Sequence, residues 1–362
     1  MKKGFLFLLG LLFLLSSSEG DPEIRVRILK GKRSAYLYIS QNLILESPNE
    51  KFFLPHFKGW IKAEEKEIRV GRRWRGEWIS FSPRNKLFRL GRKLYRGRIV
   101  FYGKKSRLEA INILDIEDYL KGVIKGEISP HWPMEALKAQ VVASRSFSLY
   151  SLNPRKEYDL EADESSQVYG GVFWEEESIN KAVKATQGEV LMYQGQVIPA
   201  YFSACCGGYT EWANWVWEKA PDYIKGVECP FCKDSPYYHW EEDVSKREIA
   251  RRLGLKVGRI KKIEIESLTP SGRVKKLKIV GEKGEELIEA TLLREKLGTN
   301  RIKSTYFLIR EGKYKVKFVG KGWGHGVGLC QWGMKKMAEE GYTYQEILKF
   351  YYPFAEIKKY ED

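Results

Sequence analysis

Three groups of residues have types and spacings that could do chemistry. His325, one of only four histidines, sits in GWGHGVGLCQWG at residues 322–333, where five of twelve positions are glycine. A glycine inside a helix or strand costs roughly 0.5–1 kcal/mol relative to alanine, so the run reads as a tight turn that presents His325 and Gln331. The second group is the five cysteines, Cys205, Cys206, Cys229, Cys232 and Cys330. In an exported chain an odd count leaves one thiol unpaired or several on a metal. The spacing C-P-F-C at 229–232, with Cys206 upstream and His239 downstream, permits a tetrahedral zinc site made of Cys206, Cys229, Cys232 and His239; it permits a disulfide equally well. The third is Glu127 in GEISPHWP, a carboxylate in a loop bounded by glycine and proline.

The elements that must position these groups can be read from periodicity. The first 20 residues, MKKGFLFLLGLLFLLSSSEG, run lysines, an apolar stretch and then small residues, the order of a secretory signal peptide. The apolar stretch is shorter than the ~20 residues a spanning helix needs. The chain is therefore expected in the periplasm, cell wall or medium, or anchored to a membrane by an uncleaved N-terminus. From 21 to 104, EIRVRIL, SAYLYIS, EIRVGRRW, GEWISFS and GRIVFYG alternate apolar and polar residues, predicting half-buried antiparallel strands in a small basic module. IEDYLKGVI predicts a short helix before Glu127, and PMEALKAQVVASRSFSLYSL a longer one after it, with Pro133 at its first turn. SINKAVKATQG reads as a further helix with Ser178 as N-cap and Gly188 as its stop. Two strand-turn-strand units follow, and the chain closes on one or two helices. The fold class is α+β, a β-rich N-terminal module joined to a larger mixed domain at 105–358.

A formal net charge of +16 favours acidic partners. For an exported protein these are anionic polymers of the envelope; no helix-turn-helix or RNA-binding signature supports nucleic acid. The absence of HExxH or a comparable His/carboxylate set argues against zinc-dependent peptide hydrolysis.

Four stretches in order, DYLKGVIKGEISPHWPMEALKAQVVASRSFSLY, SSQVYGG, YFSACCGGYTEWANWVW and GWGHGVGLCQWGMKKMAEEGYTYQEILKFYYP, resemble the stage II sporulation protein D (SpoIID)/LytB family. The resemblance covers residues from about 105 to 354. It implies a peptidoglycan lytic transglycosylase, as in sporulation members, or a non-catalytic amidase enhancer that binds peptidoglycan and works with a cell-wall amidase. It places the catalytic glutamate on Glu127. Glycoside cleavage needs a proton delivered to the leaving oxygen, for which a carboxylic acid of raised pKa is the usual donor. One carboxylate suffices if the substrate's own C6 hydroxyl attacks and closes a 1,6-anhydro ring, so no cofactor is required for catalysis. Glu117, Asp118, Asp163 and Glu164 are the candidates for a second carboxylate. Substrate-binding roles are expected for five residues: Arg145 to orient a sugar substituent or Glu127, Gln167 and Tyr169 to offer hydrogen bonds and a stacking face to glycan, and His325 and Gln331, in the family's glycine-rich stretch, to face substrate or hold Glu127 in place. Cys330 stands where many relatives have a small hydroxyl residue, which predicts a solitary thiol beside the cleft. Zinc occurs in part of the family, but its ligands do not map residue by residue onto this chain, so zinc and disulfide stay open.

Overall fold

The computed structural model describes residues 22–360; the expected signal peptide lies outside the described residues. Twelve strands between Glu23 and Asp115 build two antiparallel sheets. One, closed by a thirteenth strand that adds in parallel, runs in the order Leu160–Glu161, Glu23–Lys32, Arg107–Asp115, Arg98–Lys104, Trp78–Pro83, Leu43–Glu46, Lys51–Leu54. The other runs Lys93–Arg96, Leu87–Leu90, Ser34–Ile39, Phe57–Glu64, Glu67–Val70, Trp74–Gly76. Their inner faces meet through contacts such as Phe57 on Phe81, ring centroids 4.8 Å apart. All five alternating runs fall on strands, although EIRVGRRW is divided by a turn at 71–73 into Glu67–Val70 and the start of Trp74–Gly76. The division expected at 104 falls inside a hairpin, because Arg98–Lys104 pairs with Arg107–Asp115 from Arg98 opposite Ile113 to Lys104 opposite Arg107. The sheet thus carries the module on to Asp115.

Asp115 caps the next helix, α1 (Ile116–Lys121), by accepting from the Glu117 N–H. The expected helix breaks at Gly122 and resumes as the single turn α2 (Ile124–Glu127). Glu127 therefore closes a helix, where the sequence suggested an open loop. Helix α3 (Met134–Tyr150) follows, with Pro133 at its N-cap. The helix Glu177–Ala185 starts two residues earlier than expected, with Glu176 at its N-cap: Ser178 lies in its first turn and donates to the Pro130 carbonyl, tying this helix to the segment after Glu127. One hydrophobic core runs from Ile24 in the β module through α3 to Ala355. A second gathers Trp240, Ile263, Leu277, Leu293 and Phe318. It is built from two three-stranded sheets and the helices Lys246–Leu253 and Ala290–Leu297. This unit interrupts the larger domain, leaving at His239 and returning at Lys321, just before the glycine run. Among the described residues no helix is long and apolar enough to cross a membrane.

Candidate functional site

Twelve of the 17 residues of α3 are buried, and five of these are polar or charged: Gln140, Ser144, Arg145, Ser146 and Ser148. Buried polar groups need partners, and those of α3 find them around Glu127. The Gln331 side chain hydrogen-bonds the Glu127 carboxyl, and its Nε2 also donates to Gln140 Oε1 at 3.3 Å. Gln140 Nε2 in turn donates to Ser144 Oγ at 3.1 Å. Below Glu127 lies the Tyr119 phenol, which feels the carboxylate charge and donates to Gln167 Oε1 at 3.3 Å. Burial pushes the Glu127 pKa up to about 7 against the pull of the Gln331 hydrogen bond, and no neighbouring charge among the described residues adds to either effect. Part of the Glu127 side chain stays open to solvent. Trp132, five residues on, and Trp332, beside Gln331, meet edge to face at 5.6 Å. Such half-buried rings suit the apolar faces of a sugar.

The other expected carboxylates are committed elsewhere. Glu117 accepts two hydrogen bonds from Arg145, at 2.7 and 2.8 Å, and one from the Gly188 N–H. Asp118 pairs with Lys121 at 2.7 Å. Asp163 accepts from Ser165 on an exposed turn, and Glu164 is exposed beside it. The cavity of about 1130 Å³ beside Trp78, Tyr102 and Glu157 lies between the β module and the segment 154–157 and does not include Glu127.

Of the residues expected to touch substrate, the structure brings Gln331 to Glu127. Arg145 is fully buried, and its guanidinium is engaged in tying α3 to Glu117 of α1 and to the Glu189 carbonyl at 2.9 Å. Tyr169 is also buried, its ring between Tyr119 and Tyr95, so it joins the β module to α1 instead of offering a stacking face. Gln167 lies behind Tyr119; its Oε1 also accepts from Ser148, and its Nε2 has no partner among the described residues. Gln140, Ser144, Tyr119, Trp132 and Trp332 were not anticipated. The i, i+4, i+8 spacing of Gln140, Ser144 and Ser148, which sets three polar side chains on one face of α3, was the available signal.

The glycine run is a set of close approaches. Gly322, Gly324, Gly326 and Gly328 all have positive φ, from +69° to +113°. A Cβ on Gly326 would lie 2.2 Å from the Arg273 guanidinium, and one on Gly328 2.1 Å from the Tyr201 carbonyl. His325 is held between them as a neutral ring: Nδ1 accepts from the Val327 N–H at 3.0 Å, and the ring also bonds the Phe202 backbone. Burial, helped by the charges of Arg294 and Arg273, pushes its pKa down to about 3. The ring keeps some exposure and packs on Trp217 at 5.0 Å.

The cysteines correct the expected ligand set. His239 is exposed at a strand end, with its ring against Tyr238, while Cys330 is buried among the other sulfurs. The group that comes together is Cys206, Cys229, Cys232 and Cys330. Cys330 is therefore no solitary thiol.

Residues 104–193 match the family described as Stage II sporulation protein (SpoIID), and residues 230–328 match a Domain of unknown function (DUF8618). The latter span contains the second core. An uncharacterized protein of Brachyspira hyodysenteriae is 34% identical over 339 residues, 92% of this chain and 89% of its own. Stage II sporulation protein D of Bacillus subtilis is 32% identical over 271 residues, 69% of this chain and 76% of its own. The amidase enhancer of Bacillus subtilis is 32% identical over 292 residues, which are 67% of this chain and 40% of that longer protein. A mixed α+β protein with one half-buried glutamate at the mouth of a polar network is the class that fold and site define. The chain belongs to the SpoIID/LytB family.

Proposed function

We propose that this protein is an exported peptidoglycan lytic transglycosylase that cleaves glycan strands between N-acetylmuramic acid and N-acetylglucosamine, with Glu127 as its one acid–base group. The observation that carries this reading is the isolation of Glu127: a carboxyl raised to about 7 by burial, with no second carboxylate among the described residues acting on it. At neutral pH such a group is divided between acid and base, as the two halves of the reaction require. Protonated Glu127 gives its proton to the glycosidic oxygen as the bond to the anomeric carbon breaks. The carboxylate then takes the proton of the C6 hydroxyl as that oxygen closes on the anomeric carbon. No water is consumed, and the product ends in a 1,6-anhydro ring. Gln331 holds the carboxylate for both steps.

The first test is digestion of intact and amidase-stripped peptidoglycan with products identified by mass spectrometry. Wild type is expected to give anhydro ends, and Glu127→Gln to slow release by about 100-fold or more, the usual worth of a positioned acid–base group, with glycan binding retained. Reducing ends would mean that water attacks and that another carboxylate serves. A second reading, a glycan-binding amidase activator, rests on the likeness to a protein named amidase enhancer. Stimulation of an amidase, equal for wild type and Glu127→Gln and without cleavage products, would establish it instead.

A further inference from the structure

Four sulfur atoms meet where three stretches of chain cross. The Sγ atoms of Cys206, Cys229, Cys232 and Cys330 lie within 4.8 Å of one another, all buried; those of Cys206 and Cys232 are 3.6 Å apart. A tetrahedral zinc with thiolates at about 2.3 Å needs its sulfurs roughly 3.8 Å apart. The fifth cysteine, Cys205, stands outside the set.

The surroundings suit ionised sulfur. The Cys206 N–H donates to Cys330 Sγ at 3.2 Å, and the Tyr351 hydroxyl sits 3.2 Å from Cys229 Sγ. Such outer partners orient and charge-balance metal thiolates. Gly333 is the third residue of the helix Gln331–Glu339, in its first turn. A Cβ there would stand 2.1 Å from the Tyr351 hydroxyl, 2.9 Å from Cys229 Sγ and 3.4 Å from Cys330 Sγ. The side chain is missing where sulfur needs the room.

Charge gives an independent argument. The Arg273 guanidinium is buried, 1% exposed, and donates to the carbonyls of Cys206 at 2.6 Å and Tyr209 at 3.0 Å. Among the described residues it pairs with no carboxylate directly: Glu211, whose charge it feels, accepts from the hydroxyls of Thr269 and Ser271. An unpaired buried cation is costly. Four thiolates around one divalent cation carry a net charge of minus two, which would offset this guanidinium through the Cys206 carbonyl it bonds.

We propose that Cys206, Cys229, Cys232 and Cys330 hold one structural zinc ion, and that this ion fixes Gln331 against Glu127 through its neighbour Cys330. Binding replaces the four thiol protons with Zn²⁺ and releases up to four protons, with no change of oxidation state. The closed set of four thiolates leaves no open position for substrate, the mark of a structural site. Cys206 follows the strand Phe202–Ser203, Cys229 and Cys232 precede the second-core unit, and Cys330 caps the helix that begins at Gln331. The ion thus clamps the exit and return of that unit onto the segment that positions Glu127.

The experiment uses the full mature chain, with metal content by mass spectrometry, thiols counted after denaturation, and hydrogen exchange followed by peptide. Expected are one zinc and five free thiols per chain. Stripping the ion with a strong chelator should raise exchange at 229–232 and 330–334 while leaving strands Arg98–Lys104 and Arg107–Asp115 unchanged. Cys330→Ser should lower zinc content at least tenfold, and Cys205→Ser should keep it; if Cys330→Ser does not fold, the chelated wild type carries the test. Disulfides within the set, iron in place of zinc, zinc retained by Cys330→Ser, or unchanged exchange at 330–334 after stripping would overturn the proposal. A chain that holds zinc but cleaves no glycan upholds this site and sinks the proposed enzyme; a zinc-free chain that cleaves does the reverse.

Discussion

Glu127 and His325 sit in the two stretches that first attract attention, and burial acts on them with opposite consequences. For Glu127 the folded value of about 7 stands above the ordinary 4.5, so between these values the native chain keeps a proton that the unfolded chain has lost. Its contribution to stability is fully present below about pH 4.5 and is lost as pH rises through 7. Melting curves of wild type and Glu127→Gln should accordingly diverge between these limits, wild type losing ground as pH rises; parallel curves would refute the raised value. Glycan cleavage should decline above about pH 7 as the acid loses its proton. Since the Gln331 hydrogen bond favours the carboxylate, Gln331→Leu should move that decline to higher pH, visible in the pH profile of kcat/KM. His325, held near 3, remains neutral throughout this range and contributes no titration near its ordinary 6.5. His325→Ala should lower Tm by several degrees while turnover per folded molecule stays within a few-fold, because the ring's bonds run to backbone. Unchanged Tm with lost turnover would make it a cleft residue after all.

At the scale of elements, the glycine run is the part whose purpose only close approach explains. Gly326→Ala combines an unfavourable φ of +80° with a Cβ set against the Arg273 guanidinium. Together these should cost about 2 kcal/mol or more, measured by chemical denaturation; a neutral result would mean that Arg273 moves aside freely. The same segment shows how far pattern alone reached. Period-two alternation located the N-terminal strands, and 3.6-residue spacing located α1 and the helix Glu177–Ala185, because each element buries one face or more against a neighbour; Pro133 marked the start of α3. The break at Gly122 that turns Glu127 into a helix end is a packing event with no periodic trace. Ser178 had the chemistry of an N-cap, but the Pro130 carbonyl claimed its hydroxyl.

Across the whole molecule, the β module and the α3 layer share one core, whereas the unit from His239 to Lys321 has its own. Residues in one core unfold cooperatively, so Phe81→Ala, a loss of about 3–5 kcal/mol, should raise hydrogen exchange in α3 as much as in the sheets and spare strands Ile260–Leu268 and Val274–Gly281. Equal deprotection everywhere would mean that the two cores act as one. By itself the sequence determined the fold class, most elements and the candidate glutamate, since these rest on local periodicity and on motif resemblance. Tertiary structure alone decided which polar residues meet. Arg145, Tyr169 and Gln167 looked like ligands for a substrate, yet they are drawn inside as supports. Cys330 replaced His239 in the sulfur cluster because chain crossing brings together sulfurs 124 residues apart, a proximity that no spacing in one dimension records.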